Sequence, residues 1–241
     1  MIMPDIAPDD LRHRLWAEGD QFATQMLNHA SATAVRTRQT IWSKYIEEWL
    51  ATREAVTSHS LRIIDVGCGD GINSVWLAEY FARQTTSFSL TGIDNNPTRI
   101  RRVRSHGILT SLISAALPNL PFADGVFDLI LCNHVLEHLV DPIPAMKEIR
   151  RITSTRGLII IGVPNEGCFL GWTRNHIFQR SILRTTDHKY FFTAHALREM
   201  LSQSEMSVSA ILRNTVFFFP HFGILSRIRN TTAGNILHRL S

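Results

Sequence analysis

At 241 residues, 44% apolar and 19% charged, the chain is sized and composed for one globular domain with a substantial core. Its net charge of +4 comes without an arginine-rich run or basic and aromatic residues interleaved, so no nucleic-acid partner is expected. Cys68, Cys132 and Cys168 are too few and too scattered for a disulfide framework or zinc knuckle. The opening "MIMPDIAPDD" lacks the basic and apolar regions of a signal peptide, and no run approaches the ~18 apolar residues of a membrane span, so a cytoplasmic setting is expected.

Residues 1–58 read as an N-terminal helical extension packing on the core. One helix is expected from Asp10 to about Asn28, with Leu11, Leu15, Phe22 and Met26 inward. A second carries Trp42, Tyr45, Ile46, Trp49 and Leu50 at i, i+3, i+4, i+7 and i+8, one apolar stripe. From residue 59 to 241 the chain reads as one domain, and strand and helix patterns alternate. "LRIIDV" is strand and "NSVWLAEYFAR" helix; "SFSLTGID" is strand and "PTRIRRVRSH" helix, with proline near its first turn. "ILTSLI" and "GVFDLILCN" are strands, "PAMKEIRRI" a helix, and "GLIIIGVP" a continuous apolar strand expected to be buried on both faces. Such alternation predicts an α/β, Rossmann-like doubly wound sheet, mostly parallel, with helices on both faces. Residues 164–192 break the pattern and read as an insertion. "TAHALREMLSQ" returns to helix with Thr193 as its cap, and "MSVSAILRNTVFFF" is expected to complete the sheet as two strands. Positive charge is concentrated late: Arg174–Ser241 holds nine Lys or Arg against three Asp or Glu, a solvated basic face that could also meet anionic lipid.

Chemistry enters at "LRIIDVGCGDG". Gly67, Gly69 and Gly71 follow an apolar strand, and Asp94 ends the next strand, 23 residues beyond Gly71. Glycine permits positive φ and lets a ligand approach the backbone, the following helix offers unpaired N–H groups, and a carboxylate at Asp94 can accept from the two hydroxyls of a ribose. A dinucleotide fingerprint requires a third glycine where Ile72 stands, and the Gly-Lys-Ser/Thr of a P-loop is missing. Pyrophosphate is therefore disfavoured, and with it an NAD-type oxidoreductase; a nucleoside cofactor without phosphates fits.

Taken in order, "IIDVGCGDG", "GIDNNP", "LPFADGVFDLILCNHVLEHLVDP" and "EIRRITSTRGLIIIGVPN" closely resemble the successive motifs of the class I S-adenosylmethionine-dependent methyltransferases, type 11-like, of the small-molecule branch that includes quinone-biosynthesis enzymes. The resemblance covers roughly residues 60–165. It implies a seven-stranded sheet with a reversed last strand and S-adenosyl-L-methionine as cofactor. It places Asp65, Gly67 and Gly69 about the methionine moiety, Asp94 at the ribose and Asn95 beside the adenine, with Cys68 and Gly71 also in the cofactor-binding turn. Family members often carry an acid before "LPF" for the adenine amino group. Here Ala116 stands at that position, so the contact is expected from backbone near Ala116 and Leu117, or from Ser114 if the loop is longer. Asn133 and His134 are expected to border the methyl group.

His134-Val-Leu-Glu137-His138 also reads H-x-x-E-H, which on a helix is a zinc-protease signature. The end of a strand already explains it: Val135, Leu136 and Leu139 would pack while Glu137 and His138 face the sheet edge or solvent. No metal is expected. Methyl transfer to a hydroxyl needs a base with a pKa near neutral, and His134 and His188 are the candidates, His188 lying beside Asp187 in "RTTDHKYFFT". The acceptor is expected to be a small molecule: a quinone precursor, or a sugar of a surface polysaccharide or glycolipid, since residues 164–193 resemble a subset of these enzymes acting on such sugars. A lipid-linked acceptor would make peripheral membrane contact useful. A cofactor-binding homologue without catalysis, serving as a regulatory or assembly partner, is the competing class.

Overall fold

The computed structural model describes residues 30–53, 60–84, 87–105, 109–167, 173 and 187–212. The helix expected over Asp10–Asn28, most of the insertion and the last residues of the final-strand segment lie outside them. The described elements are α1 (Ala30–Arg53), β1 (Leu61–Val66), α2 (Ile72–Arg83), β2 (Phe88–Asp94), α3 (Pro97–Ser105), β3 (Ser111–Ser114), β4 (Phe127–Asn133), a 3-10 turn (Leu136–His138), α4 (Pro142–Ile152), β5 (Thr153–Gly162) and α5 (Ala194–Gln203).

The five strands pair in the order β3-β2-β1-β4-β5, all parallel. Strand order reverses between β1 and β4, and the carboxyl ends at such a switch point, here next to Gly67 and Asn133, are where open α/β sheets bind their ligands. Period-two alternation divides the core. Ile64 and Val66 of β1 and Ile130 and Cys132 of β4 face α4, α5 and the 3-10 turn. Ile63, Leu129 and Leu131 face α1 and α2. Trp42 and Ile46 from the predicted stripe are buried in this second cluster, with Trp49 and Leu50 at its margin. Each fully buried apolar side chain contributes about 1.5–3 kcal/mol. Thr193 caps α5 as expected, accepting from Ala196 N, and Asp141 accepts from Ile143 N with proline at the first turn of α4, which starts two residues earlier than expected.

One expectation needs correction, and a second is met only in part. β5 is only half-buried along its apolar run, because it stands at the edge of the described sheet rather than between two strands. The reversed last strand is not seen: residues 206–212 carry no strand, and residues 213–219 lie outside the described residues.

α1 runs the height of the sheet. Near the amino ends of the strands Arg53 is buried against Asp128, Nη2 to Oδ1 at 3.1 Å, and its Nη1 donates to the Arg156 carbonyl at 3.2 Å. Asp128 also accepts from the Arg62 backbone N–H at 3.0 Å and from Ser154 Oγ at 3.2 Å. These partners satisfy a carboxylate that is 1% exposed and offset the cost of burying it, leaving its pKa below the ordinary value although burial alone would raise it.

Candidate functional site

The glycine turn leaves β1 through two left-handed residues, Gly67 at φ 71° and Gly69 at φ 53°, and enters α2 at Gly71, φ 83°. A Cβ at Gly67 would collide with Val135 Cγ2, so the turn after β4 closes directly over the turn after β1. Cys68 sits between them, buried, and burial together with Asp65 and Asp94 pushes its thiol pKa up, leaving it unreactive. Asp94, 7% exposed, staples two loops: Oδ2 accepts from Gly69 N at 2.9 Å and Oδ1 from Asn96 N at 2.8 Å. Asn96 caps α3 by accepting from Thr98 N at 2.9 Å, whereas Asn95 is exposed. Ala115 N donates to the Asp94 carbonyl at 3.1 Å, which brings the exposed Ala116 and half-buried Leu117 to the rim beyond β3.

Asp65 lies under the turn, 1% exposed. Its Oδ2 accepts from Ser74 Oγ at 2.6 Å, and its Oδ1 has no partner among the described residues. Burial pushes its pKa up to about 7; the Ser74 bond pulls it down and the Asp94 charge adds to the rise.

Across the crevice, Asn133 ends β4 with its Oδ1 buried and unpartnered, pressed against Gly162 of β5. His134 comes next at φ 57°, a left-handed conformation unusual outside glycine. That reversal corrects the expectation for Glu137. Rather than reaching the edge, Glu137 folds beneath His134, completely buried, with Oε1 2.8 Å from His134 Nδ1. The His134 ring stays 42% exposed, and its Nε2 meets Arg38 Nη1 of α1 at 2.9 Å.

The zinc-protease geometry is absent from this segment, because it is a 3-10 turn and its two histidines take different partners. His138 Nδ1 lies 3.0 Å from Asp187 Oδ2, close enough for an ion pair although misaligned for a hydrogen bond. His188 turns away from Asp187, its sequence neighbour, and pairs with Glu166 at 2.6 Å. The His138 and His188 rings meet edge-on, centroids 5.0 Å apart. Glu137, His138 and His188 each bring a ligand atom within 4.8 Å of the others, a spacing that could hold a metal ion. Each is also engaged by a protein partner. The Glu137 carbonyl accepts from Lys189 N and Tyr190 N, so the turn after β4 and residues 187–190 form one wall.

The family described as Methyltransferase domain matches residues 64–161. A Mycobacterium tuberculosis protein named as a probable S-adenosylmethionine-dependent methyltransferase is 29% identical over 107 residues, 44% of this chain and 37% of its own. A ubiquinone biosynthesis O-methyltransferase of Rickettsia felis is 25% identical over 179 residues, 66% of this chain and 67% of its own. Residues 64–161 are a class I S-adenosylmethionine-dependent methyltransferase domain. The plantazolicin methyltransferase BpumL, solved with a pentazolic desmethylPZN analog and SAH, shares this fold with a TM-score of 0.56 at 18% identity, over 78% of this chain and 71% of that one. The chain spans 59%, 42% and 37% of the length of three curated relatives it matches.

S-adenosylmethionine is the cofactor of this domain, and the crevice fits its chemistry. The orphaned Asp65 Oδ1 offers a buried acceptor to a donor such as an ammonium, and the glycine turn leaves backbone open to close approach. Four residues have roles here that the sequence analysis did not assign. Asn96 was legible, since Asn before a helix-opening proline is a capping signal. Arg38, Glu137 and Glu166 carried no such signal, because each acts on a histidine through the tertiary fold.

Proposed function

We propose that this chain transfers the methyl group of S-adenosylmethionine to an oxygen of a small-molecule acceptor, with His134 as the base. The observation that carries the reading is the His134–Glu137 pair at the switch point. The buried carboxylate accepts the Nδ1–H hydrogen bond, so the lone pair of the neutral ring lies on Nε2, and the ring is 42% exposed. His134 Nε2 removes the acceptor hydroxyl proton, and the resulting imidazolium is held against the Glu137 carboxylate until it returns the proton to solvent. When bound, the cofactor supplies an activated sulfonium methyl, so the remaining catalysis is positioning. Asp65, Gly67 and Gly69 would hold the methionine moiety, with Cys68 and Gly71 in the same cofactor-binding turn, Asp94 the ribose, and Asn95, Ala116 and Leu117 the adenine, with Asn133 beside the methyl group. His188, held by Glu166, would line the acceptor side.

A quinone precursor is the favoured acceptor class, supported by the Rickettsia felis relative named for ubiquinone biosynthesis; a polysaccharide or glycolipid sugar is the alternative. No helix among the described residues is long and apolar enough to cross a membrane, and peripheral contact would fall to the basic C-terminal tail.

Thermal shift with S-adenosylhomocysteine and NAD in parallel tests the cofactor, where ligand at 100 times its Kd adds about 2.7 kcal/mol. Methyl-donor consumption over catechol, quinol and sugar acceptors then tests the reaction. His134→Ala should lower kcat by about 10²–10⁴-fold, and wild-type turnover in that variant would remove His134 as the base.

A further inference from the structure

Resting on this methyl-transfer reading, we propose that Arg38 is a latch on the His134 imidazole that a bound carboxylate releases. Arg38 Nη1 sits 2.9 Å from His134 Nε2, and a guanidinium can only donate. The lone pair that a base would use is therefore already taken. Arg38 is poorly served in return. Its Nε is buried without a partner, its described bond is to a neutral imidazole, and no carboxylate pairs with it among the described residues. Burial pulls its pKa below the ordinary arginine value, a second sign of an uncompensated cation.

The guanidinium can move while its helix stays. From Arg38 to Arg53, α1 rises about 22 Å at 1.5 Å per residue. β4 covers about 20 Å between Asp128 and His134. Anchoring Arg53 on Asp128 at one end of the sheet thus delivers Arg38 to His134 at the other. A carboxylate entering beside the exposed His134 ring would offer Arg38 two charge-assisted bonds in place of one neutral acceptor. Arg38 would then swing onto it, and Nε2 would become available only in the loaded crevice. Two sources have this chemistry: the amino-acid end of the cofactor and an acidic acceptor.

The test monitors the His134 imidazole ¹⁵N resonances in the whole chain. S-adenosylhomocysteine carries the carboxylate, whereas 5′-methylthioadenosine keeps the nucleoside and thioether and lacks it. S-adenosylhomocysteine should shift Nε2 from its hydrogen-bonded position, and 5′-methylthioadenosine should not. Arg38→Gln should weaken S-adenosylhomocysteine at least about tenfold and leave 5′-methylthioadenosine within about twofold. If Nε2 moves only when 4-hydroxybenzoate, and not 4-hydroxybenzamide, joins the 5′-methylthioadenosine complex, the acceptor is the source. A resonance that neither carboxylate ligand moves, or that 5′-methylthioadenosine moves as far as S-adenosylhomocysteine, overturns the latch and leaves the cofactor assignment standing. Failure of both nucleosides to bind removes the methyl-transfer reading itself. The wild-type ligand comparison decides the matter even if Arg38→Gln does not fold.

Discussion

Replacing Asp94 should damage this domain twice, and the two losses can be measured apart. In the cofactor-free chain its carboxylate accepts from Gly69 N at 2.9 Å and from Asn96 N at 2.8 Å, at 7% exposure. Asp94→Ala strands both amides, and a buried amide left unpaired costs about 1–3 kcal/mol. The Gly69 amide borders an open crevice and water can reach it, so the expected loss is about 2–4 kcal/mol of folding stability in all. On the proposed ribose contact, cofactor binding suffers separately: two hydroxyls would lose a charged acceptor worth roughly 1.5–3 kcal/mol each, at least a tenfold fall in affinity. Asp94→Asn should give a milder version: its amide oxygen can keep Asn96, but its NH₂ would face the Gly69 N–H, donor against donor. Urea melts of the ligand-free protein measure the first loss, and calorimetric titration with S-adenosylhomocysteine measures the second. Stability within about 0.5 kcal/mol of wild type together with affinity within about twofold would refute both parts. Lost stability with intact affinity would reduce Asp94 to a loop staple and put the ribose elsewhere.

Gly67→Ala should abolish S-adenosylhomocysteine binding or unfold the turn, since φ 71° and the collision with Val135 Cγ2 act together; normal titration would show that the two turns are not pressed against each other. Arg53→Met removes the buried guanidinium from Asp128 and should cost about 3 kcal/mol in urea melts, and a loss under about 1 kcal/mol would mean that water reaches that carboxylate. The His138–Asp187 pair should make stability depend on pH. Burial lowers the His138 pKa, but Asp187 and Glu137 outweigh it and the net shift is upward, while burial raises Asp187 and His138 outweighs it downward. The histidine's contribution is complete below its unfolded pKa of about 6.5 and is lost as pH rises through the folded value; that of the acid is complete above about 3.8 and is lost as pH falls through its lowered value. Asp187→Asn should therefore destabilise more at pH 5.5 than at pH 8.5, and an equal loss at both would dissolve the pair. Chelator should leave the melting temperature unchanged and metal analysis should find no stoichiometric ion, because His138 and His188 already have carboxylate partners; one tightly held zinc per chain would reassign them.

What the sequence determined by itself is local or periodic. The Trp42–Leu50 stripe, the five strands, the Thr193 cap and the Gly67-to-Gly71 turn with its acid at Asp94 are set by side-chain spacing and by glycine's access to positive φ, which hold wherever the segment lies. The burial of β5 could not be read this way, since an apolar run looks the same at an edge as in the middle of a sheet, and neighbouring strands are assigned only by the crossovers. The histidine partners were further out of reach. Asp187 stands next to His188 but serves His138, and His188 finds Glu166 instead. Arg38 reaches His134 across 96 residues, because α1 is pinned at its other end. Glu137 lies three residues from His134, yet its burial depends on the left-handed turn at His134 and on backbone bonds to residues 189 and 190. The glycine turn and its acid were written in the chain, whereas the wiring of the nearby histidines depends on which side chains the packed layers bring within about 3 Å, a distance that sequence separation does not encode.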